Sequence, residues 1–469
     1  MNALSFLILA ALAAGVLTLP RNWAAVCLVV GTLYLTQGAA IDLAGFSFFP
    51  ARLLGYLCLA RVLSKGEFSF SRLARADKAL LILYGFVTLI LLTRPEESAA
   101  MRLAKLLDTI TVYVAFRAFV RTPEEFRWLL GVLALLLVPY VLLLAVESFA
   151  RHNLFSWVGG SGSGGQNWER DGRPRCFGSF RHPSLLGSLG ACFLPLFVAL
   201  AWEPTRRRVA ILGAVLCVAI VGFSNSGGPI SVLALAMVGW LLWPIRKRMQ
   251  LFRRGLLALL ILVALFMKAP IWYLPAKVSS FTGGTGWHRS YLMDVAFRHF
   301  DEWWLVGMPL GDTKGWFPYN LASTGGADIT NQFIAFGLQG GIVAIFLFLV
   351  LLVRGFSFVG QALARVRERV EPAADEALLW GLGVALAAHI SNWLGITYFD
   401  QFSVLWLLQL AALVSLSEHV LQQPVGEASA EPAAGDGLAD GTPPAPDWFA
   451  GRPVASPASG WAQPGRHEP

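Results

Sequence analysis

Long apolar segments recur along the chain, and few charged residues interrupt them. An α-helix needs about 20 apolar residues to cross about 30 Å of hydrocarbon and satisfies its own backbone groups there, so such segments predict membrane-spanning helices. The candidate spans are Ala3–Leu19, Trp23–Ala39, Phe49–Leu63, Ala79–Leu92, Leu103–Val120, Leu129–Val146, Ser184–Ala201, Val209–Phe223, Ile230–Trp243, Gly255–Trp272, Asn331–Val353, Leu378–Leu394 and Phe402–Leu416. The sequence predicts an all-α polytopic membrane protein with about 12–13 transmembrane helices and a large outer loop before the last three.

The composition supports this class. Hydrophobic residues make up 56% of the 469 residues and charged residues only 14%, which leaves too little polar surface to cover a soluble globule of this size.

Lys and Arg concentrate in alternate loops, at 61–78, 117–127, 206–208, 246–254 and 354–369. Short loops rich in these residues stay on the cytoplasmic side, so the pattern predicts a multi-pass protein of the inner (cytoplasmic) membrane with a cytoplasmic C-terminus. Residues 153–181 and 277–330 are then outer loops. Topology and anionic lipid explain the net charge of +8, which therefore gives no reason to expect nucleic acid as a partner.

The chain divides into a membrane domain, residues 1–418, and a tail, residues 419–469, that is rich in Pro, Ala and Gly. The composition of the tail predicts a disordered cytoplasmic segment. No basic region precedes the first apolar segment, and a second apolar segment follows at once, so we expect a retained helix and not a signal peptide. The five cysteines show neither a disulfide framework nor metal-ligand spacing.

Both outer loops contain glycine-rich stretches. Residues 159–165 lack the preceding strand and following Lys of a nucleotide-binding loop, and we expect a mobile lid instead. In the second loop, Leu292, Val295, Ala296 and Trp303 recur at helical spacing. This spacing predicts an interfacial helix lying over the membrane domain.

Positive residues on the predicted outer face run against the topological charge bias and therefore need an explanation. They are Arg175, Arg181, Arg289 and Arg298, with Arg102 and Lys105 near the outer ends of their spans. The planar fork of donors on arginine suits phosphate oxygens. Snorkelling to lipid headgroups is the alternative explanation.

Four segments together resemble the O-antigen ligase and O-antigen polymerase superfamily. Arg175–Gly187 resembles its pattern of Arg, Gly, aromatic, His or Asn, Pro, Asn or Ser, and Gly. Ser224–Ser231 falls where the family has a Ser-Arg-Gly turn between two helices. Gly286–Arg289, followed by Trp304–Gly311, is similar to its Gly-Arg segment, and Asp328–Gly341 is similar to the segment that opens the helix after the large outer loop.

The resemblance, which spans residues 170 to 355 in motif terms, implies a glycosyltransferase that uses undecaprenyl-diphosphate-linked glycan as donor and a glycan or lipid as acceptor. A diphosphate leaving group needs fixed cations, because negative charge grows on the bridging oxygen as the glycosidic bond breaks. We expect Arg175, Arg181 and Arg289 to bind the diphosphate, with Arg102 and Lys105, and to do so without a metal or another cofactor.

An acceptor hydroxyl also needs a general base near the attacking oxygen. Thr330 stands where ligases carry a histidine, and Gly227 follows Ser226 where many members carry arginine. The candidate bases are therefore Asp328, His182 and His288. Asp328 is equally placed to form the N-cap of the helix that follows it.

Two other functions compete with the transferase. A transporter would need ionisable or polar groups near the middle of the membrane, for which His389 and Asn392 are the main candidates. A non-catalytic membrane component of a polysaccharide export or assembly system would be compatible with the departures at Thr330 and Gly227.

Overall fold

The computed structural model describes residues 1–43, 46–95, 98–160, 169–170, 172–274, 276–277, 286–317, 325–369 and 373–423. Its helices are α1 (Ala3–Thr18), α2 (Arg21–Tyr34), α3 (Pro50–Ser64), α4 (Arg75–Leu92), α5 (Ala99–Phe119), α6 (Pro123–Ala150), α7 (Pro183–Leu200), α8 (Arg207–Ser224), α9 (Gly227–Leu241), α10 (Met249–Phe266), α11 (Gly286–Arg298), α12 (Phe300–Trp303), α13 (Gln332–Glu368), α14 (Ala373–Trp393) and α15 (Asp400–Gln422). Two short antiparallel hairpins join β1 (Ile41–Leu43) to β2 (Phe46–Phe48) and β3 (Glu169–Arg170) to β4 (Arg173–Pro174).

The predicted all-α polytopic membrane architecture is confirmed. Every predicted span overlaps a helix. Within the described ranges, seven helical segments are long and apolar enough to cross a membrane, and α1 and α9 are shorter apolar helices. The finer number of 12–13 spans stays a prediction.

Two predicted boundaries are displaced. The helix expected to reach Trp272 ends at Phe266, because Pro270 has no backbone N–H with which to continue it. At the other end of the chain, α15 runs to Gln422, beyond the predicted domain limit at residue 418. The predicted disordered tail from residue 424 onward, and the predicted lid at 161–165, lie outside the described residues.

Capping side chains fix where helices begin. Thr122 and Glu125 form a capping box at the start of α6, and Pro123 occupies the first turn, where its missing N–H costs nothing. Asn331 caps α13, because its Oδ1 accepts hydrogen bonds from the backbone N–H groups of Phe333 and Ile334. The alternative prediction that Asp328 caps this helix is therefore wrong.

One face of the helical bundle carries the basic loops, and we call it the basic-loop face. Ion pairs join the helix ends there: Arg21 with Glu125, Arg127 with Asp375, Arg206 with Glu124, Arg246 and Arg367 with Glu376, and Arg117 with Asp77 and Glu418. These contacts bring the N-terminal ends of α2, α6 and α14 together with the C-terminal ends of α5 and α15.

The opposite face carries the described parts of residues 153–181 and 277–330. We call them the outer segments after the side that the sequence predicts for them, and that side stays a prediction. Helix α11 buries Leu292, Val295 and Ala296 in a second apolar cluster, which also contains Ile334 and Leu338 of α13. A helix is present at the expected place and packs on α13 through these residues, and its position at the membrane interface stays a prediction.

Helix α13 is broken at Gly340 and Gly341. Gly341 has φ of +67°, and a Cβ there would lie 2.3 Å from the carbonyl oxygen of Leu305, so only glycine fits. The outer segment fills the break, since the N–H of Ile342 donates to the carbonyl of Trp304 (2.7 Å). The break therefore connects the outer segment to the bundle through the backbone.

Arg94 completes this junction. Its guanidinium donates to the carbonyl oxygens of Val306 (2.7 Å), Met308 (3.1 Å), Leu338 (2.9 Å) and Gln339 (3.3 Å). It thereby satisfies carbonyls that the interrupted helix would leave without donors.

Candidate functional site

The segment before α7 is folded onto the turn between α8 and α9. Asn225, at φ of +41°, forms that turn. Its Nδ2 donates to the carbonyl oxygens of Arg170 (3.3 Å) and Arg173 (3.4 Å), and the N–H of Cys176 donates to the carbonyl of Phe223 (2.9 Å). The β3–β4 hairpin is thus fixed beside the N-terminal end of α9.

A buried carboxylate fixes the next part of this segment. Glu147, near the C-terminal end of α6, accepts hydrogen bonds from the N–H groups of Phe177 (2.8 Å) and Gly178 (2.9 Å). Asn153 donates to the carbonyl of Gly178 (2.8 Å). These bonds hold the backbone just after Arg175, and the Glu147 carboxylate is occupied by backbone donors.

Three arginines and one histidine are electrostatic neighbours at this place: Arg170, Arg175, Arg289 and His182. We call this set the arginine cluster and the face that carries it the cluster face. In the part of the chain that the structure describes, none of the three arginines forms an ion pair with a carboxylate. The cluster therefore concentrates positive charge without a counter-ion among the described residues.

Burial makes this charge costly. Arg175 is only 6% exposed, and its Nε is buried without a hydrogen-bond partner. Desolvation, and then the charge of Arg170, lower the pKa of Arg175 to about 10. The same two causes lower the pKa of Arg289. Both side chains remain cationic at neutral pH.

The guanidinium of Arg289 lies between two glycines, Gly228 at the start of α9 and Gly395 in the turn after α14. A Cβ at Gly228 would lie 2.7 Å from Nη2, and a Cβ at Gly395 would lie 2.6 Å from Cζ. Arg289 thus reaches from α11 into the membrane domain between two positions that have no side chain.

His182 forms the N-cap of α7, where its Nδ1 accepts a hydrogen bond from the N–H of Ser184 (3.1 Å). Desolvation, then the charges of Arg175, Arg170 and Arg289, lower its pKa from the ordinary 6.5 to about 4. The ring is therefore neutral at pH 7, and its proton sits on Nε2 because Nδ1 is an acceptor. This state suits donation to an anion better than removal of a proton.

Asp328 and His288 interact electrostatically in the second outer segment. Desolvation raises the pKa of Asp328, and the charge of His288 opposes that rise. A raised pKa brings a carboxylate nearer to the range in which a general base works at neutral pH. Nearby, the Thr330 hydroxyl oxygen is buried with no hydrogen-bond partner among the described residues.

The other predicted phosphate ligands are placed differently. Arg181 is 44% exposed along its side chain and pairs with Asp400, with Nη2 2.9 Å from Oδ1 and Nε 2.6 Å from Oδ2. Arg102 and Lys105 both have interaction partners, and neither is among the charges that act on the cluster. The structure therefore brings Arg175, Arg289 and His182 together, and not the full predicted set.

Sequence reasoning did not select three residues of this site. Arg170 lies in the same arginine-rich stretch as Arg175, which was a usable signal. Gly228 belongs to the Gly-Gly pair that opens α9. No sequence pattern indicated Gly395, because it contacts Arg289 only in the folded chain.

The polar residues considered for a transporter lie in a closed network. His389 is completely buried, with Nδ1 2.7 Å from the Tyr398 hydroxyl and Nε2 3.2 Å from Oε1 of Gln409. The cavity beside His389 has a volume of about 10 Å³. Such a space accommodates at most a water molecule, so these residues form no substrate site in this conformation.

These features define the chain as an all-α polytopic membrane protein with a cationic cluster at one face of its helical bundle. Within the described ranges, no group of three or more His, Cys, Asp or Glu side chains is arranged to hold a metal ion. Comparison with models of known protein families found no match, and a search of curated proteins found no matching relative.

Proposed function

We propose that this protein is a membrane glycosyltransferase of the O-antigen ligase or polymerase type. In this proposal the arginine cluster binds the diphosphate of an undecaprenyl-diphosphate-linked glycan, and the glycan is transferred to a glycan or lipid acceptor. The observation that carries the proposal is the partly buried cluster of Arg170, Arg175 and Arg289, which has no carboxylate partner in the described chain.

Energetics supports an anionic ligand. Placing a charge in a protein interior costs several kcal/mol, in order-of-magnitude terms, unless an opposite charge compensates it, and neighbouring like charges increase the cost. Arrangements of this kind occur mainly at functional sites. Snorkelling explains an arginine whose head reaches the interface, but Arg175 is 6% exposed.

The cluster contains more positive charge than a single phosphate group needs. A diphosphate spreads its charge over two phosphoryl groups, which suits guanidinium forks supplied from different segments. Here Arg170 and Arg175 come from the hairpin before α7, and Arg289 comes from α11. Together with the Nε2–H of His182, they would face a diphosphate from more than one side.

The proposed transfer step assigns a role to each of these groups. The acceptor hydroxyl oxygen forms a bond to the anomeric carbon of the donor, and the bond from that carbon to the diphosphate oxygen breaks. Undecaprenyl diphosphate leaves with the electron pair, and the arginine cluster stabilises the charge that develops on it. The hydroxyl proton passes to a base, for which Asp328 is the leading candidate because its exposed carboxylate is accessible to an acceptor.

The proposal includes a location. The basic loops favour the cytoplasmic side of the inner membrane, so the basic-loop face and the C-terminus would be cytoplasmic. The cluster would then face outward, where lipid-linked glycans are assembled into surface polymers.

The experiment compares wild type, Arg289→Lys and Arg289→Ala at matched membrane levels, with surface glycan and lipid-linked precursor as readouts. Lys keeps the charge but loses the planar fork, so both variants should lose about 2 to 4 kcal/mol of transition-state stabilisation. This corresponds to a rate loss of about thirty-fold to nearly a thousand-fold.

The matched control is Arg298→Lys on the same helix, where the arginine side chain is 70% exposed and pairs with Asp294. It should behave like wild type. If Arg289→Lys also behaves like wild type, Arg289 is an interfacial anchor and the phosphate-binding role is wrong.

A further inference from the structure

Gly228 and Gly395 both lie against the Arg289 guanidinium, and we call them the two walls of a slot that contains it. A Cβ at Gly395 would lie 2.6 Å from Cζ, 2.7 Å from Nη1 and 2.8 Å from Nε of Arg289. Nearly equal distances to three atoms of the guanidinium place Gly395 over its plane. On the other wall, a Cβ at Gly228 would lie 2.7 Å from Nη2 but 3.4 Å from Cζ and Nη1.

Asn392 holds the wall that contains Gly395. Its carbonyl accepts the N–H of Gly395 (2.9 Å). Its side-chain Nδ2 donates to Ser188 Oγ on α7 (2.6 Å) and to the Tyr398 hydroxyl (3.0 Å). One buried side chain, 3% exposed, therefore ties the turn after α14 to α7.

Helix α7 also holds the wall that contains Gly228. Ser226 is the residue before α9, two positions before Gly228, and its Oγ lies 2.7 Å from Ser184 Oγ. Ser188 Oγ donates to the carbonyl oxygen of Ser184 (2.6 Å). The hydrogen bonds thus run from Asn392 through Ser188 and Ser184 to Ser226, and they connect both walls of the slot through one helix.

We propose that Gly228, Gly395 and the bonds of Asn392, Ser184, Ser188 and Ser226 form a positioning device that fixes the plane of the Arg289 guanidinium. The inference rests on the proposed function, since it assigns these residues to the binding of the diphosphate by Arg289. Because glycine has no side chain, Gly228 and Gly395 leave room for the guanidinium. The hydrogen bonds of the serines and of Asn392 fix the distance between the two walls.

This arrangement has a chemical use. No hydrogen bond or ion pair to Arg289 is formed within the described residues, so packing and not pairing holds the side chain. No described residue occupies its N–H groups, which can therefore bind a ligand, while its orientation is set beforehand. Donors fixed before the reaction need no reorganisation when charge develops, which is the main source of electrostatic catalysis.

The test uses the purified full chain in detergent, with inorganic pyrophosphate as the probe and binding and thermal unfolding as readouts. Gly395→Ala and Gly228→Ala should each weaken pyrophosphate binding about tenfold or more, since each displaces Arg289. Gly383→Ala in α14 and Gly222→Ala in α8 are the matched controls. The nearest atom to a Cβ is 3.6 Å away at Gly383, and none lies within 4 Å at Gly222, so both should bind like wild type.

A second comparison separates positioning from general support of the fold. Asn392→Ala should weaken binding several-fold in the wild-type background but should have no further effect when Arg289→Ala is already present, because the two residues act as one unit. Equal losses in both backgrounds would assign Asn392 to the fold alone and overturn the inference.

The outcomes distinguish the two proposals. If Arg289→Ala binds pyrophosphate much more weakly than wild type, but Gly395→Ala matches Gly383→Ala, the slot is irrelevant and the proposed function stands. If wild type and Arg289→Ala show the same absence of binding, the proposed diphosphate site is wrong, and the positioning device is wrong with it.

Discussion

Two equally buried arginines, Arg117 on the basic-loop face and Arg175 on the cluster face, differ in whether a carboxylate pairs with them. On the basic-loop face, Arg117 lies with Nε 3.0 Å from Asp77 Oδ1 and Nη2 2.7 Å from Glu418 Oε2. On the cluster face, Arg175 is equally buried, at 6% exposure against 7% for Arg117, but no described carboxylate pairs with it. Equal burial with unequal pairing fits the proposal that the first arginine supports the fold and the second binds an anionic ligand.

The two arginines differ in the source of the negative charge that compensates them. A buried ion pair carries its own compensation, and removing one partner leaves the other charge uncompensated in the interior. A buried cation without a partner bears that cost already, so an anion that arrives from solution removes it. Substituting one charged residue at a time tests this difference between the two faces.

The largest expected effect is the loss of Asp77 from the paired face. Asp77→Ala leaves the guanidinium of Arg117 without its main partner and removes the acceptor of the Tyr113 hydroxyl (2.5 Å). Breaking a buried pair in this way should cost about 3 to 5 kcal/mol of unfolding free energy. Denaturant unfolding in micelles measures it, with exposed Asp312→Ala as the control. A loss no larger than that of the control would show that the pair is not structural.

The second prediction is a gain in unfolding free energy. Arg175→Met removes an uncompensated buried charge and keeps an apolar side chain of similar length, so the ligand-free protein should gain about 1 to 3 kcal/mol of stability. The same variant should lose the stabilisation that pyrophosphate gives to wild type. Thermal unfolding with and without pyrophosphate measures both quantities. A destabilised Arg175→Met would mean that Arg175 supports the fold as Arg117 does, and the comparison would fail.

The smallest effect concerns Asp400, the acid that pairs with Arg181 on the cluster face. This pair is partly exposed, so Asp400→Asn should change stability by less than about 1 kcal/mol. Asn also tolerates the φ of +52° found at this position. The freed Arg181 should strengthen pyrophosphate binding several-fold, most clearly at low ionic strength. Unchanged binding at low salt would place Arg181 too far from the site to contribute.

Most of the fold could be predicted from sequence, because hydrophobic segments long enough to cross lipid are a local signal. Part of the site was also accessible: Arg175 and Arg289 stand out as positive residues where the charge bias predicts few. The pairing of Arg181 with Asp400 was not accessible, since 219 residues separate them and no local pattern connects them.

The wrong prediction that Asp328 caps α13 shows what residue spacing in the sequence cannot decide. An acid shortly before a helix is a common N-cap, but Asn331 lies closer to the first free N–H groups and takes this role. The slot around Arg289 was inaccessible for a different reason. Its walls, Gly228 and Gly395, are defined by the absence of side chains, and sequence spacing does not reveal which atoms approach a glycine.

The break in α13 also has a consequence for the order in which the chain is assembled. Arg94 is synthesised more than two hundred residues before its acceptors at Leu338 and Gln339. Until those residues leave the ribosome, the Arg94 guanidinium lacks two of the four carbonyl acceptors described above, and the segment at 306–308 has no helix end against which to dock. The outer segment that carries Arg289 can therefore dock on the bundle only late in biosynthesis, after α13 has been synthesised.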